Sequence, residues 1–302
     1  MEPKKVVITG GTGLIGSVLK GMVAAAGYEV YLLSRKQRYN THAILWDHHK
    51  GTIEKDKLKN TYAVIHLAGS GIADGRWTEA RKKEIISSRV DTADLLFRTF
   101  KELGERPAVF VSSSGIGYYG ADTGAKVLDE TAPRSQDFIS MVCQKWEQAA
   151  LQFAQLQSRV VIMRTGIVLS AQGGALPRLS QSIKLGAGAP IASGTQYMSW
   201  IHMDDLCRLY LEALDHTAYE GVYNAVAQEP VTNKEFTQQV AKVLNKPLWA
   251  PNIPALVMKL LFGDMASLLI GGNNVSNQKL LKSGFKFKFP KLSSALEDLY
   301  RS

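Results

Sequence analysis

Disulfide and metal-cluster chemistry are the first things missing from this chain. Its two cysteines, Cys143 and Cys207 among 302 residues, are too few for a disulfide framework and lack metal-ligand spacing, which fits a reducing compartment. Histidines at 42, 48, 49, 66, 202 and 216 show no paired spacing either; Asp47-His48-His49 reads as a turn, and no metal is expected. No apolar run is long enough to span a membrane: the strongest late stretch, 253–270, is broken by Lys259 and Asp264 and reads as a pair of amphipathic helices. No secretory hydrophobic core follows Met1-Glu2-Pro3-Lys4-Lys5, so the expected location is cytoplasmic. No Gly-x-Ser-x-Gly elbow surrounds Ser113 or Ser114, which leaves a serine hydrolase unsupported. The net charge of +9 comes from Lys and Arg scattered along the chain. Without a basic run interleaved with stacking aromatics, nucleic acid is not the expected partner, and an anionic small molecule accounts for the excess.

What is present is a strand-to-helix turn rich in glycine. Lys5-Val6-Val7-Ile8 reads as a short buried strand, and Thr9-Gly10-Gly11-Thr12-Gly13-Leu14-Ile15-Gly16 leads from it into a helical pattern. Glycines at 10, 13 and 16 let the chain turn sharply, bring backbone N–H groups of Gly10, Thr12, Gly13, Leu14 and Ile15 against a pyrophosphate, and pack the helix close to the sheet. The next strand, 28–33, follows a helix that ends near Gly27, and it exits into Ser34-Arg35-Lys36, with Arg38 close behind. An NAD site places a carboxylate at that exit to hold the ribose hydroxyls. A hydroxyl and a guanidinium suit a 2′-phosphate instead, so the expected cofactor is NADP(H) in preference to NAD(H), with Ser34 and Arg35 as contacts. The bland alternative is a solvated basic loop.

Strand and helix signals alternate through the first two-thirds, the pattern of an α/β fold with a doubly wound parallel Rossmann sheet. Further strands are expected at 63–67, 108–112 and 159–164, and helices at 78–88, 92–103, 140–156 and 204–214. From about Ser170 the chain becomes loop-rich, with Gly173-Gly174, Gly186 to Pro190 and Ser193-Gly194-Thr195. The expected organisation is a nucleotide-binding domain over 1–170, recruiting elements from 195–230, and a smaller substrate lobe with a C-terminal extension over 171–302.

An ordered series of motifs carries a resemblance. It runs through the 9–16 turn, His66-Leu67-Ala68-Gly69, Arg76-Trp77-Thr78, Ser88-Arg89, Gly117-Tyr118-Tyr119-Gly120, Arg164-Thr165-Gly166, Gly173-Gly174-Ala175, 198–202, 224–227, 230–233 and 284–287. Over essentially its full length the chain resembles the extended and atypical short-chain dehydrogenase/reductases, and most closely their epimerase-like YfcH/YfhF-type branch. The resemblance implies that Leu67, Ala68 and Gly69 pass the adenosine and pyrophosphate side. It also implies that Ser112 to Ser114 lie near the nicotinamide, and that Arg164 and Gly166 precede a loop contacting the nicotinamide amide. Homodimerisation through helices 78–103 and 140–156 is a further implication.

Typical members use a Tyr-x-x-x-Lys pair on the helix after the serine strand, the lysine favouring tyrosinate. Here Met141 stands in the tyrosine slot and Lys145 in the lysine slot. Ser114 matches the superfamily's active-site serine, and Tyr118 or Tyr119, more readily Tyr118, replaces the missing acid/base; the alternative is that both tyrosines pack the loop. Arg76, Trp77, Trp200 and His202 are candidates for clamping an anionic or polyhydroxylated substrate, against core packing of the two tryptophans. Arg178 and Arg89 are further cationic candidates. The expected function is an NADP(H)-dependent oxidoreductase or epimerase on a small hydroxyl- or carbonyl-bearing, nucleotide-sugar-like molecule, and the alternative is a non-catalytic NADP(H)-binding redox sensor.

Overall fold

A computed structural model describes residues 2–36 and 42–301, the side chain of Arg301 excepted; Arg38 lies outside the described residues. Strand β1 (Lys5–Thr9) runs into helix α1 (Leu14–Ala25), and β2 (Glu29–Ser34), β3 (Ala43–Asp47), β4 (Thr52–Ile53) and β5 (Thr61–His66) follow. Helix α2 (Glu79–Leu103) leads to β6 (Val109–Gly115), β7 (Gly124–Leu128), α3 (Phe138–Leu151) and β8 (Arg159–Thr165). The remainder comprises β9 (Ile167–Leu169), α4 (Ala175–Lys184), β10 (Tyr197–Met198), β11 (Trp200–His202), α5 (Met203–Asp215), β12 (Gly221–Ala225) and β13 (Val231–Thr232). It closes with α6 (Asn233–Val243), α7 (Ala255–Phe262), α8 (Ser267–Ile270), β14 (Asn273–Val275), α9 (Gln278–Lys282) and α10 (Leu292–Arg301).

Eight strands form the main sheet in the order β12-β8-β6-β5-β1-β2-β3-β4, every pair parallel except β3 with β4. The chain leaves β1 toward β2 on one side and later builds β5, β6, β8 and β12 on the other. This reversal opens a crevice at the C-terminal ends of β1 and β5, where open α/β sheets bind ligands. Buried strands alternate their side chains between two cores. Val6 and Ile8 join Leu19 and Val23 of α1 and Leu206 and Tyr210 of α5, while Val7 joins Leu96 and Phe100 of α2 and Phe153 after α3. Both faces of the sheet are therefore covered, as continuous Val/Ile runs require.

Two helices expected at 78–88 and 92–103 are a single helix of 25 residues. Nothing between them breaks a helix: Arg89-Val90-Asp91 lacks Gly and Pro. Thr78 caps it by accepting from the Arg81 N–H, and Gly104, at φ 66°, ends it. The helix expected at 140–156 begins at Phe138, capped by Asp137, and tightens into a 3₁₀ turn over Gln152–Leu156.

Beyond β8 the chain builds a further core of Leu176, Ile183, Trp200, Phe236, Val240, Phe289, Leu292 and Leu296. A four-stranded sheet, β13-β10-β14-β7, joins this later part of the chain to the β7 segment of the first half. The apolar 253–270 stretch forms α7 and α8 joined by a 3₁₀ turn. Among the described residues no helix is long and apolar enough to cross a membrane.

Candidate functional site

The β1–α1 turn is shaped by what its glycines leave open. Gly10 sits at φ 66°, and a Cβ there would lie 2.7 Å from the Leu67 carbonyl oxygen; at Gly16 a Cβ would lie 2.4 Å from the Gly10 carbonyl oxygen. Side chains at either position would fill the space in which the turn closes on α1 and on the β5 exit. Thr9 fastens the two strand ends, its hydroxyl oxygen accepting from the N–H groups of Leu67 (3.0 Å) and Ala68 (2.9 Å). Gly13 and Thr12 are exposed at the helix start, and α1 carries no side-chain cap, so its first N–H groups remain open to an anion. A Cβ on Gly173 would come within 3.1 Å of Leu14, which places the 173–174 turn over the start of α1.

At the β2 exit, Ser34 holds the bend by donating to the Lys36 carbonyl at 2.8 Å, and Arg35 is exposed. The neighbouring β3 ends in the turn expected at Asp47, whose Oδ1 accepts from the N–H groups of His49 (3.0 Å) and Lys50 (3.2 Å). This turn presents His48, which the sequence places in a turn and to which it assigns no binding role. Both its ring nitrogens are buried with no hydrogen-bond partner among the described residues. Burial first, then His49 and Arg35, pulls its imidazole below the usual range, so at neutral pH it is a neutral ring with unmet polar atoms.

The serine strand, α3 and β8 enclose a polar network. Arg164 makes a two-pronged pair with Glu147 (2.9 Å at each oxygen), Ser114 donates to Glu147 Oε1 at 2.8 Å, and Tyr119 donates to Asn224 Oδ1 at 2.7 Å. Arg164 also reaches the Tyr119 hydroxyl at 3.1 Å and lies 3.3 Å from the centroid of the Tyr118 ring. Ser114, Tyr119 and Arg164 are each no more than 3% exposed. Their polar atoms are spent on one another, and burial raises the Tyr119 phenol above its usual range, which disfavours it as a base at neutral pH. Tyr118 is half-buried, and its hydroxyl has no hydrogen-bond partner among the described residues.

The helix register differs from the one expected from Met141 and Lys145. The face of α3 turned to the β6 exit carries Ile139 and Cys143: a Cβ on Gly117 would meet Ile139 at 2.6 Å and the Cys143 sulfur at 3.7 Å. Lys145 lies on the exposed side and Met141 at the margin. The two positions at Tyr-x-x-x-Lys spacing that face the serine strand are thus an isoleucine and a thiol. Burial and then Glu147 push the Cys143 thiol up to about 12, so it stays protonated.

A cleft of about 610 Å³ opens beside the start of α3, lined by Trp77, Phe138, Ile139 and Ile270, with Lys259 and Asp264 among its polar groups. Trp77 is fixed there by donating to the Ile72 carbonyl at 2.9 Å, its ring 4.9 Å from that of Phe138. Arg76 donates to the carbonyls of Leu260 and Leu261, clamping the end of α7, and Arg178 reaches the Ala73 carbonyl at 3.5 Å. Trp200 and His202 are elsewhere. Trp200 is 1% exposed in the core of Leu176 and Phe236, while His202 caps α5, accepting from the Asp204 N–H, and packs its ring at a tilt against Phe289. Gly166 is pressed between β8 and Ser199, where a Cβ would lie 2.5 Å from a carbonyl oxygen.

Behind this site His66 is wholly buried. Trp146 Nε1, which can only donate, lies 3.2 Å from His66 Nδ1, so Nδ1 accepts and Nε2 donates to Thr92. Burial, then Arg89, lowers its folded-state pKa from 6.5 to about 3. Between those values the unfolded chain binds a proton that the folded chain refuses, so stability declines as pH falls and is unaffected above pH 6.5. Urea unfolding from pH 7 to 4 should show the wild type and His66→Gln running parallel above pH 6.5 and the wild type losing about 1.4 kcal/mol per pH unit more below it. Curves parallel throughout would mean that this imidazole is protonated in the fold.

Residues 6–225 match the NAD dependent epimerase/dehydratase family, and residues 253–299 match a domain of unknown function, DUF1731. The chain is 36% identical to the Arabidopsis thaliana "Epimerase family protein SDR39U1 homolog, chloroplastic", over 96% of this chain and 85% of that protein. It is 34% identical to the human "Epimerase family protein SDR39U1", over 98% of this chain and 99% of that one. The crystal structure of human SDR39U1 isoform 2 with NADPH superposes with a TM-score of 0.88 at 33% identity, covering 99% of both chains. A UDP-glucuronic acid 4-epimerase from Bacillus cereus, solved with UDP-glucuronic acid and NAD, shares the fold at 18% identity, with a TM-score of 0.78 over 98% of each chain. With a dinucleotide-binding turn at the sheet's reversal and a match over most of its length, this chain belongs to the NAD-dependent epimerase/dehydratase family and has that family's NAD(P)-binding Rossmann fold.

Proposed function

We propose that this protein binds NADP(H) in preference to NAD(H) and acts as an oxidoreductase on a small carbonyl or hydroxyl compound. The observation that carries the reading is a cation where an NAD site needs a carboxylate: Arg35 at the β2 exit, within electrostatic reach of His48, whose ring nitrogens have no hydrogen-bond partner among the described residues. The crystal structure of the human relative with NADPH supports it. N–H groups of the Gly10 to Ile15 turn would hold the pyrophosphate, and Ser34, Arg35 and His48 the 2′-phosphate. Bound NADPH supplies a hydride.

The substrate reading rests on the cleft beneath Trp77. Its ring and aliphatic walls suit a largely apolar body, with Lys259 for a negative group, better than a bare sugar whose hydroxyls each need a partner. Tyr118, whose hydroxyl is uncommitted among the described residues, is the proton donor in this reading. One observation favours the redox-sensor alternative: Ile139 and Cys143 hold the two α3 positions facing the serine strand, and neither transfers a proton. Turnover of NADPH with carbonyl panels separates the two, a sensor binding without oxidising.

Arg35→Ala tests the shared core of both readings. A charge-assisted phosphate contact contributes about 1.5–3 kcal/mol, so NADPH affinity should drop by about 10- to 100-fold while NADH affinity stays within a few-fold. Calorimetry on ligand-stripped protein reads this directly, and an equal loss for both nucleotides contradicts the phosphate role.

A further inference from the structure

Arg89, in the middle of α2, is a buried guanidinium without a counterion among the described residues. It is 8% exposed, and among the described residues no carboxylate lies within ion-pair distance. Its two hydrogen bonds go to backbone carbonyls, Ile85 at 2.9 Å and Ser70 at 3.0 Å, and Nε has no partner among the described residues. The Trp146 ring, 4.8 Å away, backs it on one side. On the other side only the absence of a side chain at Gly69 leaves room: a Cβ there would lie 2.9 Å from the guanidinium carbon. Burial pulls this group down to about 10, which leaves it charged at neutral pH. A buried charge that is not neutralised is costly, and a protein retains one where an anion arrives to meet it.

Position tells which anion. Gly69 and Ser70 follow β5, and Cys143, within electrostatic reach of Arg89, faces the β6 exit. The 2′-phosphate reader lies across the crevice at the end of β2, so a dinucleotide anchored at the β1–α1 turn lays its nicotinamide half over β5 and β6. Arg81, which donates to the Gly71 carbonyl, adds a second guanidinium to the same loop.

We infer that Arg89 is a cofactor-binding residue whose guanidinium meets an anionic or hydroxyl oxygen of the nicotinamide half of NADP(H), supplying from α2 the cation absent from α3 at Cys143. The inference rests on the NADP(H) reading above, and the experiment separates the two. NADPH and adenosine 2′,5′-bisphosphate, a fragment without the nicotinamide half, are titrated onto stripped wild type, Arg89→Met, Arg89→Lys and Arg35→Ala. Arg89→Met should weaken NADPH by about 10- to 100-fold and leave the fragment unchanged, with Arg89→Lys between it and wild type; Arg35→Ala should weaken both. The Tm of nucleotide-free Arg89→Met should equal or exceed that of wild type, because an uncompensated charge is gone, whereas a residue kept for structure alone would lower it. If Arg89→Met does not fold, the Arg89→Lys and Arg89→Gln titrations carry the comparison. Unchanged NADPH affinity, or equal weakening of NADPH and fragment, overturns the inference; no binding of either probe by wild type overturns the NADP(H) reading itself.

Discussion

Glu147→Ala is expected to destabilise the fold by about 3–5 kcal/mol, because it strands the Arg164 guanidinium in an interior site. Arg164 is 3% exposed, and Glu147 accepts from it at both carboxylate oxygens and from Ser114 as well. Burial by itself would lower the Arg164 pKa; the hydrogen bonds and charge of Glu147 outweigh that and raise it. Removing the carboxylate leaves the guanidinium with the Tyr119 hydroxyl, the Glu130 carbonyl and the Tyr118 ring, none of which carries the opposite charge. Urea unfolding at pH 7 reads the effect. The double variant Glu147→Leu/Arg164→Met should recover most of the loss, since an apolar pair of similar volume often matches a buried ion pair. A loss below about 1 kcal/mol in Glu147→Ala would mean that water enters and solvates the guanidinium.

This network also shows where sequence reading stops. The glycine turn, the β2 exit and the expected strand positions are local patterns, and the structure places β1, β2, β5, β6 and β8 there. The facing of α3 is not local. Moving the reference from Met141/Lys145 to Ile139/Cys143 is a shift of two residues, or roughly 200° of helix rotation, and that turn exchanges the solvent side for the sheet side. Ile139, Cys143, Trp146 and Glu147 share the buried face, a spacing of three and four that the sequence itself displays. That apolar stripe was the available signal for the true register.

Trp200 and His202 stand in a motif with the residue types of a ligand clamp, yet packing against Phe289 and the α5 cap decides their role. Residue type alone does not separate a clamp from a core. The same holds for Arg89, whose proposed role rests on the lack of a nearby carboxylate among the described residues, a property of three-dimensional neighbours. His48 sits in a turn read correctly as a turn; that its ring nitrogens are buried beside Arg35 depends on β3 pairing with β2.

Gly16→Val carries the largest expected effect on ligand binding. A Cβ at Gly16 would stand 2.4 Å from the Gly10 carbonyl oxygen and 2.6 Å from the Gly11 Cα, both backbone atoms that cannot swing aside as a side chain would. The turn must open to accept it, which displaces the N–H groups proposed to hold the pyrophosphate. Two charge-assisted hydrogen bonds lost at about 1.5–3 kcal/mol each correspond to a fall in NADPH affinity of about 10²- to 10⁴-fold. Overpacking should cost about 1–3 kcal/mol of stability, so the nucleotide-free variant should still fold and circular dichroism should report its helices. Gly21→Ala, in the same helix, is the control: a Cβ there meets nothing within 4 Å, so affinity should hold and stability should rise by roughly 0.5–1 kcal/mol from the better helix former. Because the two glycines share one helix and differ in what a side chain would strike, wild-type affinity in a folded Gly16→Val protein would move the dinucleotide away from this turn, and with it the place where the sheet's reversal assigns the cofactor.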